Sequence, residues 1–179
     1  MLRTVVAAFW AMLPAYVPNN AAVLFGGGPT IDGGRTLGGR RLLGDGKTWR
    51  GTAAGILSGT LLALVLNRLA PRIEGRLGCT LPRFSPRAAL ALPAGAMLGD
   101  IAASFLKRRT GRQRGAMVPG LDQLDFVAGA LWVASTAAPR WFARTFTRRT
   151  VAAVLVMTPA LHVGTNVVAY LVGLKDEPW

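Results

Sequence analysis

Residues 99–125, GDIAASFLKRRTGRQRGAMVPGLDQLD, decide how this chain is read. The stretch starts inside apolar sequence, turns abruptly to acid, base and glycine, and closes on Asp122 and Asp125 just before apolar sequence resumes. Charge set into membrane-like sequence is expensive and is kept where it has a partner or a task. Aspartates, a lysine and several arginines together suit a phosphate held through a hard metal ion. The stretch therefore points to phosphate chemistry at a membrane face.

The same contrast runs through the whole chain. Hydrophobic residues make up 51% of the 179, yet 21 residues are Lys or Arg and the net charge is +13; the mean hydropathy is +0.37. Both hold at once because the charge is segregated. The runs Val5–Phe25, Gly51–Leu66, Ala88–Leu106, Phe126–Ala138 and Val151–Leu174 contain one formal charge, Asp100. About 20 apolar residues cross a ~30 Å hydrocarbon core as a helix. The first, third and fifth runs reach that length; the second does so with Asn67 to Ala70, and the fourth if Asp122 to Asp125 are helical.

The expectation is a single-domain, all-α integral membrane protein over residues 1–179. Its five transmembrane helices fall near 3–25, 49–70, 87–107, 122–138 and 150–174. A glycine-rich basic loop and a charged cavity lie on one side. Nucleic acid is excluded as the partner of this positive charge, because a soluble protein would have nothing to bury five such runs against; membrane lipids and phosphates remain. Cys79 is the only cysteine, so neither an internal disulfide nor a cysteine metal site exists. The first run lacks the small-x-small site of a cleaved signal peptide and is long for one.

Five spans put the termini on opposite sides, and the basic residues then divide eleven to ten between the faces, too evenly for the positive-inside rule to choose. The acids are lopsided: Asp32, Asp45, Asp100, Asp122, Asp125, Asp176 and Glu177 share the face of the C-terminus, and Glu74 alone lies opposite. A cytosolic nucleotide substrate makes the acidic face cytoplasmic and places the N-terminus outside.

Three groups of residues carry the chemistry. Asp100, Ser104, Lys107 and Arg108, spaced i, i+4, i+7 and i+8, form one helical stripe. It reads either as a metal- and phosphate-binding strip or, for its cations, as an ordinary interfacial cap; Asp100 favours the first. Asp122 and Asp125, at i and i+3 after Pro119–Gly120, share the first turn of a helix. They repel unless a cation lies between them, or else serve the helix dipole as capping acids. Residues 26–51 hold ten of the 22 glycines, interleaved with Asp32, Arg35, Arg40, Arg41, Asp45, Lys47 and Arg50, a composition suited to backbone contact with phosphate. Gly44–Thr48, GDGKT, is not a P-loop, since Arg41 stands where the first glycine belongs and no strand precedes it. Gly51, Gly55 and Gly59 make a small-residue packing face. His162 and Asn166, like Asn19 and Asn20, either bond between helices or line a polar cavity.

Gly99–Asp100, Ser104–Arg108 as S-x-x-K-R, and Pro119 with Asp122 and Asp125 resemble the C-terminal signature of the phosphatidate cytidylyltransferases. Asp45–Gly51, DGKTWRG, is similar to that superfamily's K-K-T-x-E-G element. The short five-span plan resembles the archaeal branch, the CDP-archaeol synthases. The bacterial K-D pair is replaced by Gln113–Arg114, the H-G-G is absent, and Gln123 replaces an arginine, so no role passes to Gln113 or Gln123.

The resemblance implies Mg²⁺-dependent transfer of CMP from CTP to the phosphate of an unsaturated archaeal ether lipid, 2,3-di-O-geranylgeranylglyceryl phosphate, giving CDP-archaeol and pyrophosphate at the cell membrane. It implies Asp122 and Asp125 as Mg²⁺ ligands, with Asp100 a third ligand or an orienting carboxylate. Lys47, Arg50, Lys107 and Arg108 then hold phosphates, Thr48 and Ser104 donate hydrogen bonds, and Asp45 belongs to the nucleotide loop. A CDP-diacylglycerol synthase acting on phosphatidate and a small anion or phosphate transporter are the alternatives; a transporter needs polar residues toward both faces, and seven of the eight acids fall on one.

Overall fold

The computed structural model describes residues 1–112 and 120–173. Among these residues six helices are present: α1 (Leu2–Leu24), α2 (Trp49–Leu77), α3 (Pro86–Arg109), α4 (Leu121–Ala137), α5 (Pro139–Thr145) and α6 (Arg148–Leu171). Between α1 and α2 the glycine-rich segment folds into a small lobe around the two-residue strands β1 (Thr36–Leu37) and β2 (Arg40–Arg41). These pair antiparallel, Thr36 opposite Arg41 and Leu37 opposite Arg40. Gly38 and Gly39 form the turn with φ of 58° and 74°, the double positive-φ geometry of a tight hairpin that side chains resist. A bridge between Thr30 and Thr48 ties the start of the lobe to its end.

Local signals account for the helix ends. Thr48 caps α2 by accepting from the Gly51 amide, and Ser85 caps α3 by accepting from the Ala88 amide, with Pro86 following. Gly78, at φ 60°, ends α2 and donates its amide to the Glu74 carbonyl.

The second helix runs seven residues beyond the expected stop at Ala70, straight through Pro71. Proline cannot donate to the carbonyl four residues back, and an orphaned carbonyl normally favours termination. Here Arg83 Nη1 donates to that Asn67 carbonyl at 3.0 Å. The Asn67 side chain brackets Phe84, accepting from its amide at 2.7 Å and donating to its carbonyl at 2.8 Å. The unexpected α5 lies at this end as well, its Trp141 in tilted contact with Phe84 and edge-on to Phe146, which Phe142 also meets.

The interior is built from small residues. Ala8, Ala11, Ala15, Ala63, Ala96, Ala130 and Ala134 are fully buried, whereas Leu57, Leu61, Leu64, Leu90, Leu98, Trp132 and Val156 are exposed. Small residues inside and large apolar residues outside is the pattern of helices packed in lipid, where close backbone approach drives association. Among the described residues α2 and α3 are long and apolar enough to cross a membrane.

The glycine face of α2 packs as its spacing requires. Gly59 rests on the Pro14 carbonyl, which lacks a helical partner because Pro18 has no N–H, and Gly55 lies against Met97 and the Pro18 carbonyl. The α3–α4 pair is tighter. Gly95 lies on the Gly129 carbonyl, Gly129 on the Gly95 carbonyl, and Gly99 on the Asp125 carbonyl, so that no side chain fits between the backbones.

Overpacking such a contact costs roughly 1–3 kcal/mol. Gly99→Ala is expected to lower the unfolding midpoint in detergent, while Gly75→Ala, whose added methyl meets open space on α2, is expected to leave it unchanged or raise it. Equal midpoints for the two variants would contradict the backbone contact.

Candidate active site

The lobe between α1 and α2 is organised by one buried acid, Asp32, which is 6% exposed. Its carboxylate accepts from the amides of Gly34, Leu43 and Gly44 at 3.0–3.1 Å. It also receives Arg41 Nη2 at 2.8 Å and Nε at 3.2 Å. The Arg41 guanidinium holds this carboxyl far below the usual carboxylate range, with the three amides adding to the effect. Arg41 reaches onward to Asp45 at 2.7 Å. Arg109, from the last turn of α3, donates to the carbonyls of Leu37, Arg40 and Arg41 at 2.6, 3.1 and 2.8 Å. The lobe is thereby pinned over the end of α3. Neither Asp32 nor Arg109 stands out among the candidate site residues in the sequence; the one usable signal is the Asp32-Gly33-Gly34 turn, where an aspartate bonds the amide two residues on.

This pinning sets Lys47 beside the α3 stripe. Lys47 Nζ donates to Asp100 Oδ2 at 2.5 Å, and one turn and more along, Lys107 pairs with Asp122 at the start of α4. All four side chains are about one-fifth exposed. Two connected clefts flank the Lys47–Asp100 pair. The first, about 370 Å³, is lined by Asn19, Gly26, Gly27, Thr48, Thr52 and Met97 together with Asp45, Lys47 and Asp100. The second, about 330 Å³, brings Arg41, Lys47, Lys107 and Arg108 around Gly44, Gly46, Asp100 and Ser104. Four cations over glycine backbone is a surface for several phosphate oxygens.

The expected residues divide as follows. Asp45, Lys47, Thr48, Asp100, Ser104, Lys107 and Arg108 all line one or both clefts. Thr48 is buried and also occupied as the α2 cap. Arg50 is exposed and stands outside the linings of both clefts.

Asp122 and Asp125 both reach the region beside α3 but open on different cavities. Asp122 lines a cleft of about 380 Å³ with Tyr16, Asn19, Phe126 and His162, between α1, α4 and α6. Asp125 ends an apolar groove of about 370 Å³ along α3 and α4, formed by Leu98, Ala102, Leu106 and Trp132. Its Oδ1 accepts from the Phe126 amide at 2.5 Å. Among the described residues no three of His, Cys, Asp and Glu gather closely enough to hold a metal ion. The expected convergence of three carboxylates is therefore not formed here, since Asp100 and Asp122 are each neutralised by a lysine instead.

Gly120 precedes α4 with φ 83° and donates its amide to Gln123 Oε1 at 3.3 Å, so Gln123 caps the helix. His162 and Asn19 line the cleft between α1 and α6. Gln113, Arg114, Pro119, Lys175, Asp176, Glu177 and the Asn166 side chain lie outside the described residues.

A family model described as CarS-like, CDP-archaeol synthase, matches residues 1–179. A CDP-archaeol synthase of Halobacterium salinarum is 63% identical over all of this chain and 99% of its own length. One from Haloarcula marismortui is 67% identical over 98% of this chain and 97% of its own, and one from Methanosarcina acetivorans is 50% identical over 94% of this chain and all of its own. A solved structure of an intramembrane enzyme for archaeal membrane lipids biosynthesis is 35% identical, with a TM-score of 0.72 over 91% of this chain and 94% of that one. The two clefts therefore sit on a fold shared with that enzyme, and the chain belongs to the CDP-archaeol synthase family.

Proposed function

We propose that the chain transfers CMP from CTP to the phosphate of 2,3-di-O-geranylgeranylglyceryl phosphate, releasing pyrophosphate and forming CDP-archaeol. Beside the family match, the observation that carries this reading is the pair of alternating ion pairs, Lys47–Asp100 and Lys107–Asp122, set between a cationic cleft and apolar grooves. Five helices, α1 to α4 and α6, span the membrane as one domain over residues 1–179, in the cell membrane. The clefts face the cytoplasm and the N-terminus lies outside. The end bearing Arg83, Glu74 and α5 is then the outer one. Large exposed apolar residues around the bundle support its burial in lipid.

An oxygen of the lipid phosphate attacks the α-phosphorus of CTP; that bond forms as the bond from the α-phosphorus to the bridging oxygen breaks, and pyrophosphate leaves with the electron pair. No covalent bond to protein is needed, so the side chains act by positioning and by stabilising charge. Arg41, Lys47, Lys107 and Arg108 hold the triphosphate, with Ser104 and the amide of Gly46 as further donors. Arg50 is left out of this set, being outside the clefts. The groove ending at Asp125 and the cleft at Asp122 admit isoprenoid chains from the side and deliver the lipid phosphate to the carboxylate end of the site.

The donor chemistry fits a hard divalent cation, since Asp100, Asp122 and Asp125 offer carboxylate oxygens and the Gly99 contact holds α3 and α4 together beside them. Mg²⁺, when bound, would supply charge neutralisation at the α-phosphate and the leaving oxygen. Each lysine has two alternative partners, an aspartate as in this structure or a phosphate oxygen. Substrate binding exchanges the first for the second and frees the carboxylates.

Three outcomes follow for the purified chain with labelled CTP and the ether-lipid phosphate. Asp125→Asn is expected to abolish CMP incorporation while the protein still inserts and purifies; retained turnover would remove Asp125 from the metal set. Lys47→Ala and Lys107→Ala are each expected to lower kcat/KM by about 10²–10³-fold, the scale for losing one charge-stabilising donor. An effect under threefold in both would show that the cationic cleft is not the phosphate site. Chelation of divalent ions is expected to stop the reaction and Mg²⁺ to restore it, whereas turnover in excess chelator would refute the metal assignment.

A further inference from the structure

The two clefts that meet at Lys47 and Asp100 differ in character. The one toward Arg108 gathers four cations. The one toward α1 contains a single cation, Lys47, beside the carboxylates of Asp45 and Asp100, and is otherwise lined by glycines, hydroxyls, small apolar residues, the Met97 side chain and the Asn19 amide. A nucleoside triphosphate has the same polarity, with its charge at one end and a flat neutral heterocycle at the other. With phosphates in the cationic cleft, the nucleoside falls in the other, whose volume of about 370 Å³ lies in the usual range for a ligand site. Gly26 and Gly27 form part of that wall, which keeps side chains out of the path of a planar ring.

Asn19, at the boundary of this cleft with the one between α1 and α6, has unused hydrogen-bonding capacity. Its Oδ1 is buried and has no hydrogen-bond partner among the described residues. A buried acceptor left unsatisfied costs roughly 1–3 kcal/mol and is retained where a ligand completes it. A phosphate at neutral pH is chiefly an acceptor, so the group that completes Asn19 Oδ1 is a donor. We infer that Asn19 reads the nucleobase of the bound nucleotide, its Oδ1 accepting from the exocyclic amine of cytosine and its amide N–H₂ donating to the neighbouring ring acceptor. Uracil presents a carbonyl where cytosine presents that amine, and sets oxygen against oxygen.

This inference rests on the cytidylyl-transfer reading, and equilibrium binding separates the two. The full chain in detergent is tested for binding of labelled CTP and for displacement by unlabelled CTP or UTP. Asn19→Ala is expected to weaken CTP binding by about tenfold or more and UTP binding by less than threefold, so the preference for CTP collapses. Asn19→Leu, of similar size and without either polar group, is expected to lose the CTP preference in the same way. The Leu variant also covers the case in which the alanine variant fails to fold. Equal losses of CTP and UTP affinity in both variants, or an unchanged preference in Asn19→Ala, would overturn the role of Asn19 while leaving the transfer reading intact. No CTP binding by the unaltered chain would overturn both.

Discussion

Gly99 lies directly on the Asp125 carbonyl, with Gly95 and Gly129 in mutual backbone contact one turn further along, and the charged end of the bundle takes its geometry from that seam. Because no side chain separates α3 from α4 there, Asp100, adjacent to Gly99, and Asp125 sit at the same level on neighbouring helices. The Lys107–Asp122 pair then falls where α3 leaves the bundle and α4 begins. A single methyl at Gly99 would separate the helices and with them the residues on which the proposed chemistry depends. The glycines thus connect packing to function through distance alone.

A second constraint acts on the other half of the site. The lobe of residues 25–48 has little apolar content to fold around, so its shape comes from a buried carboxylate. Asp32 collects three amides and one guanidinium, and Arg109 anchors the hairpin to α3. A flexible glycine chain becomes a fixed wall that carries Lys47 to Asp100. Since the carboxyl of Asp32 is held far below its ordinary range, its contribution to stability is complete above the unfolded carboxylate pKa of about 4 and is lost only as pH falls well below it. The wall is therefore insensitive to pH through the physiological range.

Much of this was legible in the sequence, and the failures have physical causes. The helical stripe Asp100–Ser104–Lys107–Arg108 and the acids Asp122 and Asp125 are local-spacing features, and spacing fixes which residues share a helix face. The end of α2 was misjudged because a proline normally stops a helix, and only the fold could bring Arg83 to the carbonyl that Pro71 leaves open. Asp32 and Arg109 looked like two members of a crowd of charges; their importance lies in contacts to backbone atoms distant in sequence, which no periodicity encodes. Repulsion without a cation concerned Asp122 and Asp125 alone, and Asp100 joined them as a third ligand through the resemblance. In the fold two of the three meet lysines first, one supplied by the lobe and one by α3 itself.

The family places the chain among cytidylyltransferases of archaeal membrane lipids, and the proposed roles of particular side chains rest on the clefts they line. The most direct test follows two labels of CTP through one reaction with the purified protein and the ether-lipid phosphate. Label at the α-phosphate is predicted to move into the organic phase with the lipid, in equal molar amount to pyrophosphate released, while label at the γ-phosphate stays in the aqueous phase as pyrophosphate. Appearance of the γ label in the lipid, or no transfer of either, would contradict the assignment.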